Sequence, residues 1–149
     1  MASIKLEAAS IATVLSTELN SLANNAAALG TEYDNATNLF LWAMFELNVT
    51  FGSSPTAGNT VDLYIIPAPD GTNYDDNTTG ASGAAPSTSY VGGFPLRAVT
   101  SAQKVPLGAA RRIDLPPTKF KVFIVNGSGQ AFPSSGSTVK MIPYRYQSA

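Results

Sequence analysis

Short runs of apolar residues, separated by clusters of Gly, Pro, Ser, Asn and Asp, make up most of this chain. The longest run, residues 39–51 (LFLWAMFELNVTF), has three polar positions, Glu46, Asn48 and Thr50, and they are two residues apart. That spacing favours a strand, because a helix would need a polar stripe that recurs about every 3.6 residues. The run therefore predicts a long strand that is buried on most of both faces.

Seven more runs predict strands, and most of them end near Pro, Gly or Asn. They are residues 26–34, 61–66, 90–99, 104–107, 111–115, 118–126 and 138–146. The first also fits a last helical turn ending at Gly30, and we favour the strand because Asp34 and Asn35 then supply a tight turn. Pro95 and Pro143 lie inside their runs, which predicts edge strands or bulges. The predicted fold class is mainly β: an antiparallel two-sheet sandwich, jelly-roll-like, with about eight strands.

The first 25 residues predict a different element. Apolar residues recur at helical spacing between residues 6 and 23, and Ser10 fits an N-cap. We predict a short N-terminal helix or arm over 1–25, followed by the β-sandwich domain over 26–149. A helix this short is marginal alone, so its apolar stripe must cover either its own sandwich or a partner. We favour the partner, which gives five predicted partner-binding residues: Ile11, Val14, Leu15, Leu19 and Leu22.

The composition excludes many kinds of chemistry. The chain has 149 residues, the size of one ordinary domain, and it contains no histidine and no cysteine. Thiolate nucleophiles, histidine acids or bases, and zinc sites with nitrogen or sulfur ligands are therefore excluded. Glu46 and Asp62 lie on neighbouring predicted strands and could approach each other, but each equally fits an outward polar position. We predict no enzyme and no cofactor.

The loop over residues 67–89 holds an alternative candidate site. It concentrates oxygen ligands of the kind that calcium prefers, at Asp70, Asn73, Asp75, Asp76 and Asn77. Their spacing differs from an EF-hand loop, and exposed turns use the same residues, so we predict no metal. The loop has little apolar anchorage, and we expect a deletion of residues 77–86 to change stability little.

Aromatic residues supply the other candidate, a platform on which sugar rings stack. Trp42 lies in the longest apolar run and is expected in the core, which leaves Tyr74, Tyr144 and Tyr146 as exposed candidates. Aromatic residues are equally common in β cores and interfaces. A sugar site therefore stays an alternative.

The charges are few and unevenly distributed along the chain. Nine of the ten acidic residues fall in 1–76, and eight of the nine basic residues fall in 97–145. Either strands of the two halves interleave, so that the charges cancel in space, or the protomer is bipolar and its acidic surface meets a neighbour's basic one. We favour interleaving. The net charge of −1 argues against a nucleic-acid partner, and residues 39–51 are too few to span a membrane.

Several segments resemble small structural proteins of tailed-bacteriophage particles, of the head decoration or cement type. The resemblance rests on the long strand before a Gly/Ser/Pro turn, VDLYIIP followed by DGTNY, the PLRAV strand, and LPPTKFKVFIVN with its Gly-rich turn. It covers roughly residues 26–140. It implies a β-sandwich or jelly roll, trimers at capsid threefold positions and no catalysis, and it transfers no site residue.

These observations together predict a bacteriophage capsid decoration or cement protein that binds the outside of the assembled head and stabilises it. The expected partners are the major capsid protein and the chain itself, as a homotrimer, with no nucleic acid and no membrane. The expected location is the capsid surface, after synthesis in the host cytoplasm. The first alternative is a phage tail or fibre module that binds host-surface carbohydrate, and the second is a carboxylate-based glycoside hydrolase or lyase that depends on Glu46 or Asp62. A charged fraction of 13% suits a surface covered by other subunits, because interface cores are depleted in charge.

Overall fold

The computed structural model describes residues 3–74 and 87–148, with Ser87 described by its backbone alone. Within them the chain forms ten strands and two short 3-10 turns, Thr17–Leu19 and Ser87–Ser89. The strands are β1 (Ile4–Ala8), β2 (Ala12–Leu15), β3 (Ala27–Asp34), β4 (Trp42–Val49), β5 (Thr60–Pro67), β6 (Tyr90–Pro95), β7 (Gln103–Leu107), β8 (Ile113–Asp114), β9 (Lys119–Asn126) and β10 (Thr138–Ser148). No helix in the described part of the chain has the length and apolar character of a membrane span.

The strands form two antiparallel sheets. In the first sheet β10 pairs with β1 and β2 along one side and with β4 along the other, and β4 pairs in turn with β7 and β8. The second sheet has the order β3-β9-β5-β6. The prediction of a mainly β, jelly-roll-like sandwich is confirmed. All eight predicted strands are present, and the two additional ones, β1 and β2, come from the N-terminal segment.

The helix predicted between residues 6 and 23 is wrong. That segment forms β1 and β2, a short 3-10 turn, and turns at Ser21 and Asn25, whose φ angles are 54° and 63°. The spacing of Leu15, Leu19 and Leu22 fits one face of a helix. In the structure the same three residues are buried from a strand and two turns, so their spacing does not distinguish a helix from this arrangement. A helix this short has little stability of its own, whereas pairing with the edge of β10 provides backbone hydrogen bonds along two strands. The segment therefore forms strands.

The position of Pro143 also differs from the prediction. β10 is an interior strand, not an edge, yet Pro143 is accommodated there. Its carbonyl accepts a hydrogen bond from the Ala9 N–H at 2.9 Å, so its nitrogen faces the same side, where the chain passes between β1 and β2. A missing donor costs little at this break in the ladder. Pro95 ends β6, an edge strand, as predicted.

Strands of the acidic half and the basic half alternate in both sheets. β10 lies between β1 and β4, and β9 lies between β3 and β5. Glu7 pairs with Arg145 at 3.1 Å and Glu32 with Lys119 at 3.0 Å. The interleaved arrangement of charges that we favoured from the sequence is therefore the one observed.

The core lies between the sheets. β4 alternates strictly between buried and more exposed positions, as one covered face requires, and β9 does so except at Phe123, an outward residue that is also buried. The largest completely buried side chains of this core include Phe45, Leu47, Leu63, Phe94, Phe120, Ile124 and Met141. The sandwich leaves the outer face of each sheet to be covered or exposed, and the two outer faces differ.

Candidate functional site

The outer face of the first sheet is apolar and open. Strand alternation that sends Phe45 and Met141 into the core sends Met44 and Ile142 outward, and these two are cross-strand neighbours. β1 continues the surface with Leu6, which lies opposite Tyr146. We call this surface the apolar face and define it by Leu6, Ile11, Met44, Ile142, Tyr144 and Tyr146. Leu6, Ile11 and Tyr146 are 58%, 62% and 49% exposed.

The centre of the apolar face is a shallow groove. Ile11, Met44, Pro106 and Ile142 line it, and Glu46 and Lys140 stand at its polar end as direct cross-strand partners. Leu6 and Tyr144 line a second depression on the other side of Met44 and Ile142. Scattered apolar residues are ordinary on a protein surface, but a contiguous patch with a polar rim is typical of an interaction site.

Trp42 lies at the edge of the apolar face, not in the core as expected. It is half-buried, with its ring edge-on to Tyr146 at 5.2 Å and tilted against Tyr144 at 5.7 Å between centroids. The Arg112 guanidinium lies over the indole, 4.2 Å from its centroid. Its neighbours therefore occupy much of the indole, which differs from the open ring face that a stacked sugar needs.

Part of the outer face of the second sheet is covered by the chain itself. Phe123 and Ile66 point outward there, yet both are buried in a second, smaller apolar cluster. Tyr74, from the loop after β5, packs against this cluster. The contrast identifies the apolar face of the first sheet as the candidate functional surface, because the outward Phe123 and Ile66 of the second sheet already have a covering.

Tyr74 is held by polar contacts as well as by packing. Its hydroxyl donates to Glu32 Oε2 at 2.7 Å, Lys119 Nζ lies 3.0 Å from Glu32 Oε1, and Lys121 Nζ lies 4.4 Å from the centroid of the Tyr74 ring. The Tyr74 hydroxyl, with help from Lys119, lowers the pKa of Glu32. Burial and the Glu32 carboxylate raise the pKa of Tyr74. The loop that covers the second sheet is thus fastened to β3 and β9.

We expect Tyr74→Phe to raise the pKa of Glu32 toward its ordinary value, because the hydroxyl that stabilises the carboxylate is removed. A carboxyl whose pKa is lowered by folding stabilises the folded loop above its unfolded pKa, and this contribution is lost as the pH falls through the lower folded value. Carboxyl NMR titration measures the shift, with Tyr144→Phe on the first sheet as the control. An unchanged Glu32 pKa in Tyr74→Phe would mean that the Tyr74 hydrogen bond is absent in solution.

The five predicted partner-binding residues divide into two groups in the structure. Ile11 lies on the apolar face, exposed and beside the groove. The other four are buried in the chain's own core: Val14, Leu15, Leu19 and Leu22. Of the predicted set, Ile11 alone therefore stands where a partner could contact it in this conformation.

The candidate carboxylates do not come together. Glu46 lies on β4 of the first sheet and Asp62 on β5 of the second, and both point away from the core. The two strands expected to be neighbours are in different sheets, so the carboxylates stand on opposite outer faces. Asp62 is occupied locally, accepting a hydrogen bond from the Thr60 hydroxyl at 2.8 Å.

Asp70, the first carboxylate of the predicted oxygen-rich loop, accepts hydrogen bonds within its own turn. Asp70 accepts hydrogen bonds from the backbone N–H groups of Thr72 and Asn73 and from the Asn73 side chain, which together lower its pKa to about 2. Residues 3–74 and 87–148 contain no group of three or more acidic side chains that could hold a metal ion. The other predicted ligands, Asp75, Asp76 and Asn77, lie outside the described residues.

No protein-family model matches the chain, and no curated protein matches its sequence. Similar solved structures include carbohydrate-binding modules and virus particles. A CBM35 in complex with a glucuronic acid-containing disaccharide is 14% identical with a TM-score of 0.45, and the match covers 85% of this chain and 73% of that one. The CBM35 from Cellvibrio japonicus Abf62 is 13% identical with a TM-score of 0.45, over 99% of this chain and 98% of that one. A chain of Desmodium yellow mottle tymovirus is 13% identical with a TM-score of 0.41, over 100% of this chain and 89% of that one. We base the function on the surface described above.

Sequence reasoning missed most of the apolar face. The relevant signal was present in the run 39–51, where apolar residues occupy both alternating sets of positions. This pattern predicts burial on most of both faces, whereas in β4 the structure buries only the face that holds Ala43 and Phe45. An apolar residue at an outward strand position has the same sequence pattern whether its covering is part of the same chain or of another molecule.

Proposed function

We propose that this chain is a structural component of a bacteriophage particle, a decoration or cement protein that binds the outside of the assembled head. Attachment runs through the apolar face of the first sheet, and its first partner is the major capsid protein. Copies of the chain also associate with one another; the homotrimer that the resemblance implies stays a prediction, and two-fold pairing through β1 is its alternative. The protein acts on the capsid surface by binding and performs no catalysis.

The main observation in support of this proposal is the open apolar face. Contiguous exposed apolar surface is unfavourable in water and is typical of a surface that another protein covers. Four of its six residues, Met44, Ile142, Tyr144 and Tyr146, stand on β4 and β10, which are interior strands of one sheet, so most of the face is preformed by the fold. A preformed surface loses little conformational freedom on docking, which favours binding.

The stabilising action follows from binding alone. A protein that binds the assembled shell better than its separate subunits shifts the equilibrium toward the shell by mass action. Glu46 and Lys140, at the polar end of the groove, would fix the orientation of docking more than its strength. No moving part is required.

The alternative, a tail or fibre module that binds host-surface carbohydrate, has support from the aromatic residues around Trp42. Tyr144 and Tyr146 stand beside the indole on the apolar face. A sugar site needs an open ring face flanked by hydrogen-bonding groups, whereas Arg112 lies over the indole. Among the described residues, the groove beside Met44 presents Ile11, Pro106 and Ile142 and no exposed aromatic ring, which favours a protein partner.

We expect Met44→Lys to weaken attachment to shells at least tenfold, because it places a charge at the centre of the buried contact. The measurement is sedimentation of the purified protein with empty shells assembled from the major capsid protein of the virus that carries this chain. The matched control is Tyr90→Lys, which alters an exposed aromatic residue of the second sheet and should change attachment by no more than about twofold.

Two results would contradict the proposal. Wild-type protein that stays in the supernatant but binds a glycan saturably would favour the carbohydrate module. Attachment that Tyr90→Lys abolishes and Met44→Lys leaves intact would move the binding surface to the second sheet. Far-ultraviolet circular dichroism establishes beforehand that both variants are folded.

A further inference from the structure

β1 is an edge strand whose outer side is unpaired among the described residues. It pairs with β10 alone, in a register that sets Leu6 opposite Tyr146 and Glu7 opposite Arg145. The Ala9 N–H donates to the Pro143 carbonyl, in the same register. The backbone N–H and C=O groups of successive residues point to alternate sides of a strand. Since the Ala9 N–H points at β10, the backbone groups of Glu7 and Lys5 also point at β10. Ile4, Leu6 and Ala8 therefore direct theirs outward.

The sequence of this edge is complementary to itself. When two copies of β1 run antiparallel about a two-fold axis at Leu6, Lys5 of each copy stands opposite Glu7 of the other. Leu6 meets Leu6, and Ile4 meets Ala8. The outward backbone groups of Ile4, Leu6 and Ala8 then face one another and can form about six hydrogen bonds, two for each facing pair. Opposite charges directly across two strands stabilise their pairing.

We propose that two copies of this chain associate through β1, which joins their first sheets into one continuous sheet about a two-fold axis. The charged side of the junction then carries an alternating row: Lys5 of one copy, Glu7 of the other, and Arg145, which already contacts that Glu7 at 3.1 Å. On the other side, Ile4 and Leu6 of both copies lie together and extend the apolar face. The inference concerns the edge of the sheet and requires no capsid.

Other symmetric registers are less favourable. A two-fold axis at Lys5 sets the two Lys5 side chains against each other, and an axis at Glu7 does the same with two carboxylates. Three other edge strands carry features that hinder pairing: β7 contains Pro106, β6 ends in Pro95, and β3 has a register break between Leu29 and Glu32. A five-residue strand buries less than a standard interface of about 1,600 Å², so the dimer forms at high protein concentration.

Cysteine cross-linking tests the register directly, because the natural chain has no cysteine. Cα atoms of a hydrogen-bonded antiparallel pair stand about 5.5 Å apart, which is within the range of a disulfide. Under mild oxidation we expect Leu6→Cys to link to itself almost completely. Ile4→Cys and Ala8→Cys should each link poorly alone and readily when mixed. Absence of the Leu6→Cys link, or efficient self-linking of Ile4→Cys, would overturn the proposed pairing.

Charge reversal tests the same pairing without oxidation. Lys5→Glu leaves two carboxylates on each edge and Glu7→Lys leaves two ammonium groups, so each variant alone should sediment as a monomer where the wild type is a dimer. A mixture of the two restores both opposite-charge pairs, and we expect at least tenfold stronger association of the mixture than of either variant. A wild type that is strictly monomeric up to about millimolar concentration, or that forms a trimer, would overturn the proposal. Neither result bears on attachment to shells through Met44.

Discussion

We expect Gly30→Ala to lower the free energy of unfolding by about 3 kcal/mol, because the site has no room for a methyl group. A Cβ at residue 30 would lie 2.3 Å from the carbonyl oxygen of Val14 and 3.2 Å from that of Val122. Val14 belongs to β2 of the first sheet and Val122 to β9 of the second. Both close atoms are backbone, so relief requires a strand to move, not a side-chain rotation.

The matched control is Gly52→Ala. A Cβ at residue 52 would meet nothing within 4 Å, and neither glycine has the positive φ angle that disfavours alanine. The control should be as stable as the wild type or slightly more stable, because alanine reduces the entropy of the unfolded chain. Urea denaturation followed by fluorescence of the single tryptophan, Trp42, measures both variants. Equal stability of the two would mean that β2 does not pack against β3 as described.

Asn126→Leu should also cost about 3 kcal/mol of unfolding free energy, since Asn126 connects three segments from a fully buried position. Its side-chain amide donates to the carbonyls of Leu22 and Ala23, each at 3.1 Å, and of Gln130, at 2.8 Å. Its Oδ1 accepts the buried Ser128 N–H at 3.1 Å. Leucine keeps the approximate volume but leaves that N–H without its side-chain acceptor.

Asn38→Ala is the control for this substitution, because the Asn38 side chain is exposed. Surface substitutions usually change stability by less than about 0.5 kcal/mol, and we expect the same here. Thermal denaturation of the two variants and the wild type at one pH provides the comparison. Similar losses in both variants, or none in either, would contradict the bridging role of Asn126.

The sequence was sufficient to predict the sandwich, because strands with one covered face have a period of two wherever they occur. β9 shows this most clearly: Phe120, Val122 and Ile124 point inward, and Lys119 and Lys121 begin the outer face. The same rule failed before residue 25. Leu15, Leu19 and Leu22 satisfy a helical spacing, and only the tertiary partner β10 selects strands in this region.

The candidate site was harder to predict for a physical reason. Outward apolar residues of the second sheet, such as Phe123, and of the first sheet, such as Met44, have the same local sequence pattern. Whether each is covered depends on a loop that is distant in sequence: Tyr74 reaches Glu32 across 42 positions and anchors the covering of the second sheet. The described residues contain no equivalent anchor on the apolar face. This difference appears only in the folded chain.

Proline and charge act together at the edges of the sheets. Pro95 and Pro106 lie on β6 and β7, where a missing donor discourages a further strand. β1 has neither proline nor a bulge, and its two charges are of opposite sign. Of these three edge strands, β1 is therefore the one best suited to pairing. That property supports self-association through β1 independently of the apolar face.

Cryo-electron imaging of the virus particle that carries this chain tests the central claim most directly, because it shows which surface of the sandwich contacts the capsid. We predict contact through the apolar face, with Met44 and Ile142 buried against the major capsid protein and the loop that covers the second sheet directed outward. Contact through the second sheet, with Met44 and Ile142 left in solvent, would contradict the claim.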